Sequence, residues 1–445
     1  MKNKIVAKLI VLFFCISLCF LLTVAASAAP SDFTYTMKGN GTAIITGYTG
    51  NDVNVYIPKM LDGYTVSTIA ENAFEGNKTM MTVNIPDTIT SIGDKAFFEC
   101  ENLNGVTIPA SVQSIGIGAF AGCDKGLSFA VDKANPVYTT IDQILYNKKT
   151  KTLVCCPRGK ELLDNTIPNG IIEIGEYSFY QHTKVDISRI PDSINVISSH
   201  AFECCEKLLY PCDTHLVVDI IEPYAFASCQ IRMKFRAFLQ ANQIDEYAFS
   251  GCIVNSENGY DDYEFEICCP IINSNAFENF KRYNSSADCS LRLLQTKIIG
   301  SNAFNGIWVD RFSFSDNLIE IGDSAFENAR FAYGNVKLPD SLKKIGKKAF
   351  ASVKNTGYFY TNRDEGDNRE ITLPLGLEFI GEEAFYSSFE RRIIIPESVT
   401  EIGDNICDRK YGTLEVVSGS YAATYAAENG YKYMYSGEDD LSWLN

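Results

Sequence analysis

Short stretches of alternating apolar and polar residues recur along almost the whole chain. The clearest of them, Val83-Asn84-Ile85-Pro86, predicts a short strand with one buried face. Proline cannot donate to a strand ladder, so Pro86 is expected to end this strand and turn the chain. Two further apolar residues follow, Ile89 and Ile92, and then Ala96-Phe97, which predicts a short helical or 3₁₀ turn whose Phe fills the interior. One strand and one such turn make a small coil.

The same order of residues returns at a nearly constant interval. Its most regular part is the phrase Ile-Gly-x-x-Ala-Phe, in which the glycine, such as Gly93, predicts a tight turn or an unusual φ. Strict copies end at Phe97, Phe120, Phe326, Phe350 and Phe385, looser copies at Phe74, Phe179, Phe202, Phe226, Phe249, Phe277 and Phe304, and a degenerate copy at Cys407. A period of about 20 to 30 residues is typical of solenoids, in which a coil buries its apolar face only against its neighbours. We therefore expect a single solenoid of about 13 coils.

Two intervals between copies, of 59 and 35 residues, are longer than one coil. They predict insertions near residues 130–160 and 355–370. The first insertion has apolar runs at 144–146 and 153–155 on either side of a polar turn, which predicts a β-hairpin. The second is rich in Gly, Asn and acidic residues and is expected to be an exposed loop.

Both ends of a solenoid need caps, because an open coil exposes its core and a sheet edge. Residues 33–37 and 43–46 flank Gly39-Asn40-Gly41, a pattern that predicts a hairpin at the amino end. Near the other end, residues 421–428 (YAATYAAE) predict a short helix that stops near Gly430.

The first residues have the composition of an export signal. Lys2, Lys4 and Lys8 precede or begin an apolar stretch over residues 9–24, and Ala26-Ser27-Ala28 supplies a small-residue cleavage site. An uncleaved membrane anchor is the alternative, but no stop-transfer pattern and no second membrane-length apolar run follows. We therefore expect a secreted bacterial protein, released or held non-covalently at the cell surface. The predicted organisation is a signal peptide at 1–28, an amino-terminal β cap at 29–68, repeats at 69–412, and a carboxy-terminal cap and tail at 413–445.

The residues that resemble catalytic or metal-binding groups have simpler interpretations. His200 occupies a repeat position that lysine or glutamate holds in other coils, so it is expected to be a surface residue. A Cys–His nucleophile or a zinc site built from residues 204–212 and His215 is an alternative, but the spacing does not fit paired zinc ligands. The acidic clusters at 261–262 and 364–367 do not match an ordered calcium loop, and no glycosidase pair of carboxylates is recognisable. We therefore expect no enzymatic activity, no cofactor and no metal.

The repeats resemble the BspA-like leucine-rich repeat family, whose units resemble I-G-x-x-A-F-x-x-C-x-x-L-x-x-V-x-I-P. The match runs from Ile69 to Cys407, and residues 33–49 and 419–433 resemble that family's flanking segments. The resemblance implies an α/β repeat solenoid, right-handed, with short parallel strands, usually secreted or at the cell surface. Several relatives are implicated in adhesion, and the family has no catalytic residue to carry over. The departure lies between Phe202 and Phe304, where the Ile-Pro strand ends are largely missing, which predicts a less regular region.

Five of the fifteen cysteines lie three residues after a repeat phenylalanine. They are Cys100, Cys123, Cys205, Cys229 and Cys252. Stacked coils would place equivalent Cα atoms about 5 Å apart, within disulfide range, so Cys100–Cys123 and Cys229–Cys252 bonds are the alternative. Because this position serves packing in the family that the chain resembles, we expect free, buried thiols.

The binding hypothesis rests on the outward side chains of the strands. If Val83 and Ile85 face the core, Asn84 faces solvent, and the same count in later coils gives two outward rows. Lys234, Glu264 and Ser313 fall in one row, and Arg311 and Arg392 in its neighbour. The predicted binding residues are Asn84, Thr107, Asp186, Lys234, Glu264, Arg311, Ser313, Lys337, Thr372 and Arg392.

These rows mix charge signs and have aromatic residues nearby, as expected of protein recognition, although a merely solvated face is the alternative. The net charge of −16 without a basic cluster argues against a nucleic acid partner. We expect an exported, non-catalytic binding or adhesion protein whose partner is a protein or glycan on a host or neighbouring microbial surface. The alternatives are a structural component of the cell envelope and, more remotely, a secreted hydrolase.

Overall fold

The computed structural model describes residues 29–437 except 164–165, 212, 258–261, 284–286, 333–336, 356–369 and 389–391. The predicted signal peptide and most of the loop predicted near 355–370 lie outside the described residues. The chain is a β-solenoid of about 16 turns, which confirms the predicted fold, although the repeat phrase alone predicts about 13 coils. It divides into two compact units, residues 1–143 and 144–445. The boundary falls inside the predicted insertion near 130–160.

The first unit is built from two ladders of short strands. Phe33–Lys38 and Thr42–Tyr48 form an antiparallel hairpin, which confirms the predicted amino-terminal hairpin, and Tyr64–Ile69 pairs in parallel with its second strand. The first ladder consists of Phe33–Lys38, Thr42–Tyr48, Met60–Leu61, Tyr64–Ile69, Ser91–Ile92 and Ser114–Ile115. The second ladder consists of Asn54–Tyr56, Thr82–Asn84, Gly105–Ile108 and Ser128–Val131, and Tyr138–Ile141 follows it in the chain.

The second unit begins with the hairpin predicted in the insertion. Its strands, Ile144–Asn147 and Thr152–Cys155, are antiparallel, and the second strand pairs in parallel with Glu173–Ile174. From there each repeat contributes one two-residue strand to a parallel ladder. These strands are Glu173–Ile174, Val196–Ile197, Ile220–Ile221, Gln243–Ile244, Ile271–Ile272, Ile298–Ile299, Glu320–Ile321, Lys344–Ile345, Phe379–Ile380 and Glu401–Ile402.

Three more parallel sheets complete the second unit. The eight-stranded sheet consists of Val185–Asp186, Leu208–Tyr210, Gln230–Met233, Ile253–Ser256, Lys281–Arg282, Trp308–Val309, Arg330–Phe331 and Lys354–Asn355. The five-stranded sheet consists of Thr214–Val217, Arg236–Gln240, Tyr263–Cys268, Cys289–Leu294 and Arg311–Ser313. The four-stranded sheet consists of Glu370–Thr372, Arg392–Ile395, Thr413–Val416 and Lys432–Tyr435.

The repeat phenylalanines form the predicted core. In the first unit, the rings of Phe74, Phe97 and Phe120 stack with centroids 4.8 and 5.3 Å apart. In the second unit, the rings from Phe179 to Phe385 stack in a column with neighbouring centroids 4.8 to 5.6 Å apart. Each such pair adds about 0.5–1.5 kcal/mol beyond the burial of its area, so the columns tie successive coils together.

One local prediction for the repeat phrase is wrong. The Ala-Phe segment forms turns rather than a helical or 3₁₀ segment, because Lys95 and Glu99 take left-handed φ values of 51° and 53°. The glycine of the phrase begins a tight turn, as predicted, since the backbone N–H of Ala96 donates to the carbonyl of Gly93 at 3.3 Å, and it also permits a close approach. A Cβ on Gly93 would lie 2.4 Å from the backbone nitrogen of Glu71 in the preceding coil. The glycine therefore sets how tightly two coils stack.

Residues 202–313 form what we call the middle coils. On the side opposite the two-residue strands, each middle coil has two strands, whereas a coil of the first unit has one strand there. A strand of the eight-stranded sheet is followed by a corner and then by a strand of the five-stranded sheet. At one such corner, Phe235 takes a φ of 59°, which bulky residues rarely adopt. The pairs of the five-stranded sheet are parallel and in continuous register. The prediction of a less regular region is therefore wrong, since these corners take over the role of the missing Ile-Pro ends.

The cysteine row is buried, as predicted. Each thiol donates to the carbonyl of the repeat phenylalanine of the preceding coil, for example Cys100 Sγ to Phe74 O at 3.1 Å and Cys252 Sγ to Phe226 O at 3.0 Å. Cys100, Cys205, Cys229 and Cys252 stand as free thiols in the structure. Burial raises the pKa of Cys100 to about 12, so this thiol is neutral at pH 7.

The carboxy-terminal end combines a helix with a strand. Helix α1, Tyr421–Glu428, is the predicted one, and the side chain of Ser420 caps it by accepting from the backbone N–H of Ala423. The hydroxyl of Tyr425 donates to the carbonyl of Gly403 at 2.8 Å, which ties the helix to the last repeat. The strand Lys432–Tyr435 then adds to the four-stranded sheet. Within the described residues, no helix has the length and apolar character needed to cross a membrane.

Candidate binding face

The outer face of the five-stranded sheet carries three rows of side chains. Its strands alternate, so Phe265 and Ile267 are buried in the core while Glu264 and Glu266 point outward. Because the strands pair in register, equivalent side chains of successive coils lie side by side. The rows are Arg236, Glu264, Ser290 and Arg311; His215, Phe238, Glu266, Arg292 and Ser313; and Val217, Gln240, Cys268 and Leu294.

Glu266 lies at the centre of a charged network on this face. Its side chain is only 7% exposed, and Oε1 accepts from the guanidinium of Arg236 at 2.5 Å and lies 3.5 Å from that of Arg292. The hydrogen bond with Glu266 raises the pKa of Arg236 above its ordinary value. A buried carboxylate is stable only when it is paired, so these contacts hold Glu266 in place. Both arginine side chains stay about half exposed.

A second set of charges borders the first. The guanidinium of Arg311 lies 3.4 Å from Asp288 Oδ2, and Asp262 accepts from the backbone N–H of Asp288 at 2.8 Å. Arg236 also lies 3.8 Å from a carboxylate oxygen of Glu264. Positive and negative groups therefore alternate here, on a chain whose overall charge is −16. This local balance separates the face from the rest of the acidic chain.

Two hollows lie on the same face and share Glu264 and Ser313. The first, of about 460 Å³, is lined by the charged groups of Arg236, Asp262 and Arg311 and by apolar groups such as Phe235 and Leu291. The second, of about 630 Å³, is lined by Arg292, by the amide of Gln240 and by apolar groups such as Phe238, Leu294 and Phe314. Both hollows thus combine charged and apolar groups.

The structure brings three of the ten predicted binding residues together here. Glu264, Arg311 and Ser313 line the first hollow. Their assignment to rows is wrong, however. Glu264 and Arg311 share a row through Ser290, and Ser313 belongs to the row of Glu266.

Two predicted lysines lie outside the strands. Lys234 is exposed in the bend before Phe235, and Lys337 is exposed in a segment between strands. Arg236, and not Lys234, is the neighbour of Glu264 across the ladder. The count failed by two residues because it treated a chain that turns a corner as one continuous strand.

The other five predicted residues lie in other sheets. Asn84 and Thr107 are exposed neighbours in the first unit. Asp186 lies in the eight-stranded sheet, where its carboxylate accepts from the backbone N–H of Ser188 and so starts the 3₁₀ turn Ile187–Arg189. Thr372 and Arg392 belong to the four-stranded sheet, and Arg392 forms ion pairs with Glu370 and Glu415. The ten residues therefore do not form the two rows that were predicted.

The sequence analysis missed Arg236, Glu266, Arg292 and Phe238. The signal was present at residues 289–293, which alternate apolar and polar side chains with a period of two, as a strand with one buried face does. It was weaker at residues 236–240, where Ala237, Phe238 and Leu239 form a continuous apolar run. The sequence does not indicate the corner after which a new strand starts at Arg236. Once that corner is known, the rows follow by counting.

Two of the three histidines, His182 and His200, lie outside the strands of this face. His182 is fully buried, and burial lowers its pKa to about 4, so it is neutral at pH 7. Its Nε2 lies 3.8 Å from the buried thiol of Cys156. His200 lies on the turn side of its coil and pairs with Glu203. Among the described residues, no group of three or more His, Cys, Asp or Glu side chains is arranged to hold a metal ion.

Parallel ladders of short strands, a phenylalanine column and a repeat of 22 to 28 residues define a leucine-rich-repeat protein. Family comparison gives the same result. The chain matches the BspA type Leucine rich repeat region over residues 55–158, 154–284 and 270–410, in six copies. It therefore belongs to the BspA type leucine-rich repeat family. A comparison with curated proteins gave no match.

Solved structures of bacterial leucine-rich repeat proteins are similar to this chain. A leucine-rich repeat protein from Bacteroides ovatus is 18% identical, with 91% of this chain and 98% of that chain covered and a TM-score of 0.43. A leucine rich cell surface protein from Faecalibacterium prausnitzii is 21% identical, with 93% and 95% covered and a TM-score of 0.36. A leucine-rich repeat protein from Eubacterium ventriosum is 16% identical, with 75% of this chain and 96% of that chain covered and a TM-score of 0.37.

Proposed function

We propose that this chain is an exported, non-catalytic protein that binds another protein through the outer face of the five-stranded sheet. The observation that carries the proposal is the arrangement around Glu266. This carboxylate holds Arg236 and Arg292 in place with both arginine side chains about half exposed, and two hollows lie beside them. Repeat solenoids bind through extended surfaces, which agrees with membership of this family. Export rests on the leader-like sequence at residues 1–28.

The composition of the face favours a protein partner. Arginine and aromatic residues are enriched at the energetic centres of protein interfaces. Here Arg236 and Phe238 lie on one strand and Arg292 lies two strands away, on the other side of the strand of Glu266. The ion pairs with Glu266 hold both guanidinium groups in place, so little side-chain freedom is lost on binding. Alternating signs fit a mixed protein surface better than a uniformly charged polymer. The partner is expected on a host cell or on a neighbouring microbe, which would make the protein an adhesin.

The test is direct binding of the mature chain, residues 29–445, to purified components. Host extracellular-matrix proteins, glycans and fractionated bacterial envelope components would be immobilised separately and titrated by surface plasmon resonance. Arg311→Glu is the test variant, because Arg311 borders the first hollow and its side chain is 56% exposed, so the fold should tolerate the change. Lys337→Glu is the matched control, an exposed charge reversal outside the strands.

We expect saturable binding to a purified protein that Arg311→Glu weakens at least roughly tenfold and Lys337→Glu leaves unchanged. Equal losses in both variants would show general electrostatic attraction and refute the face as the site. Binding to a glycan alone would refute the protein partner while leaving the face intact. Binding that neither variant changes would move the site to another part of the chain.

A further inference from the structure

Four consecutive coils of the second unit carry a column of stacked rings on their turn side. The rings belong to Tyr177, His200, Tyr224 and Tyr247, with neighbouring centroids 4.6, 5.0 and 4.9 Å apart and planes parallel within 3°. This column is separate from the phenylalanine core, because its side chains lie at the surface, and Tyr224 is 36% exposed. The proposed protein-binding face uses none of these residues.

The four rings occupy one position of the repeat. This position takes a left-handed φ in each of these coils, 57° at Tyr177 and His200 and 59° to 60° at Tyr247 and Tyr224. The next coil has Asn275 there, with a φ of 60°, and other coils have polar residues such as Lys95 and Glu383 at φ values of 51° and 55°. The conformation therefore belongs to the repeat, and it is the run of aromatic residues that distinguishes these four coils.

Carboxylates surround the column. Burial, then the hydroxyl of Tyr247, and then the carboxylates of Glu246, Glu203 and Glu278 raise the pKa of Tyr224, so three acidic groups lie near its hydroxyl. The turn segments at 174–182, 197–205, 221–229, 244–252 and 272–280 contain no lysine or arginine. The face is therefore complementary to a cation.

The column itself shows how it holds a nitrogen-containing group. His200 is stacked between two tyrosines, and its Nδ1 lies 2.8 Å from Glu203 Oε2, three residues further along the same coil. In the coil that follows Tyr247, Glu278 stands three residues after Asn275, the position equivalent to Glu203. The coil of Asn275 therefore keeps a carboxylate, that of Glu278, although it has no aromatic ring at the column position. Among the described residues, the ring of Tyr247 stacks only on that of Tyr224.

We propose that the second ring face of Tyr247, next to Asn275, binds the guanidinium group of an arginine from a basic segment of a partner protein. The planar guanidinium would continue the column as its next member, stacked on Tyr247 and paired with Glu278. Arginine suits this place better than lysine, because a planar delocalised cation stacks on an aromatic ring and presents two parallel N–H groups to a carboxylate. Glu246 adds negative charge on the preceding coil.

The probes are a fluorescent oligo-arginine peptide and an oligo-lysine peptide of equal length, titrated against the mature chain and followed by anisotropy. Tyr247→Asn gives the position the residue that Asn275 already supplies at the same φ, and Glu278→Gln removes one carboxylate. Glu327→Gln is the matched control, because Glu327 stands three residues after Ser324 in a coil outside the column. Thermal unfolding of each variant checks its fold.

We expect the arginine peptide to bind more tightly than the lysine peptide, and both Tyr247→Asn and Glu278→Gln to weaken it roughly tenfold. Glu327→Gln should bind as the unchanged chain does. Equal affinity for the two peptides, or equal losses in Glu278→Gln and Glu327→Gln, would overturn the site in favour of general attraction to an acidic chain. If Tyr247→Asn does not fold, the comparison of the two glutamate variants still decides. Arg311→Glu should leave peptide binding intact, so this proposal and the protein-binding face fail or stand separately.

Discussion

The middle coils and the carboxy-terminal coils of the second unit are stacked by different means. The carboxy-terminal coils, residues 318–407, keep the glycine of the repeat phrase, and exposed ion pairs such as Lys344–Glu320 join successive coils. In the middle coils the glycine position holds Glu222, Asp245 and Asn273, with glycine only at Gly300, and charged groups enter the coil interior, as Arg282 and Asp310 do. In the carboxy-terminal coils, the same backbone contact at the glycine is repeated, so successive coils are alike. In the middle coils, the side-chain pairs differ from coil to coil, so the surface they form differs from that of the other coils.

The largest expected effect is the loss of an interior charge from the middle coils. Asp310 is fully buried, pairs with Arg282 and accepts from the backbone N–H of Cys289 at 2.7 Å. In Asp310→Asn, the amide cannot accept from both donors and the arginine stays buried without its counter-charge. We expect a loss of about 3–5 kcal/mol in the free energy of unfolding, measured by urea denaturation.

The control for this variant is Glu320→Gln in the carboxy-terminal coils. Glu320 pairs with Lys344 at 2.7 Å, but both side chains are more than a third exposed, so the pair contributes about 0–1 kcal/mol. Equal losses in the two variants would show that the two regions do not differ in how charge stabilises them.

Local and repeated features of this chain could be predicted, and non-local ones could not. The phenylalanine column, the hairpin at Ile144–Asn147 and helix α1 follow from patterns contained within one repeat or one short segment. The five-stranded sheet depends on the corner at Phe235, whose left-handed φ is not favoured by its own side chain and is imposed by stacking. The predicted binding rows were counted without this corner. For this reason they included Glu264 but not Glu266.

A second comparison tests the role of the glycine in stacking. Gly346→Ala in the carboxy-terminal coils and Ser198→Ala in the phrase that ends at Phe202, where the middle coils begin, place the same residue at the same position of the repeat phrase. A Cβ on Gly346 would lie 2.6 Å from backbone atoms of Gly322 and Asp323, so a coil must shift. We expect this variant to lose about 2–3 kcal/mol.

Ser198 already carries a Cβ, so its replacement removes only the hydrogen bond from its hydroxyl to Glu173 at 2.8 Å. The expected loss is about 1 kcal/mol. Thermal and urea unfolding midpoints of the two proteins provide the measurement. If Ser198→Ala proves the more damaging, backbone contact at the glycine does not set the spacing of the regular coils.

A last contrast concerns the cysteine row, whose position holds Ala329, Val353 and Ser388 in the carboxy-terminal coils. Burial raises the pKa of Cys100 from 9.0 to about 12, and burial also raises that of Cys205. A group whose pKa is raised by folding stabilises the fold fully below its unfolded pKa, so this contribution is lost as pH rises from about 9 to about 12. Alkaline unfolding followed by circular dichroism should show this decline.

The adjacent residues Cys204 and Cys205 provide an internal control, because the first is only half-buried and the second is fully buried. Iodoacetamide at about pH 9 should modify Cys204 well before Cys205, since only an accessible thiolate reacts. The order of modification can be read by mass spectrometry of digested samples taken over time. Modification of both at the same rate would mean that the middle coils open quickly enough to expose the buried thiol of Cys205. The difference from the carboxy-terminal coils would then be one of dynamics rather than of packing.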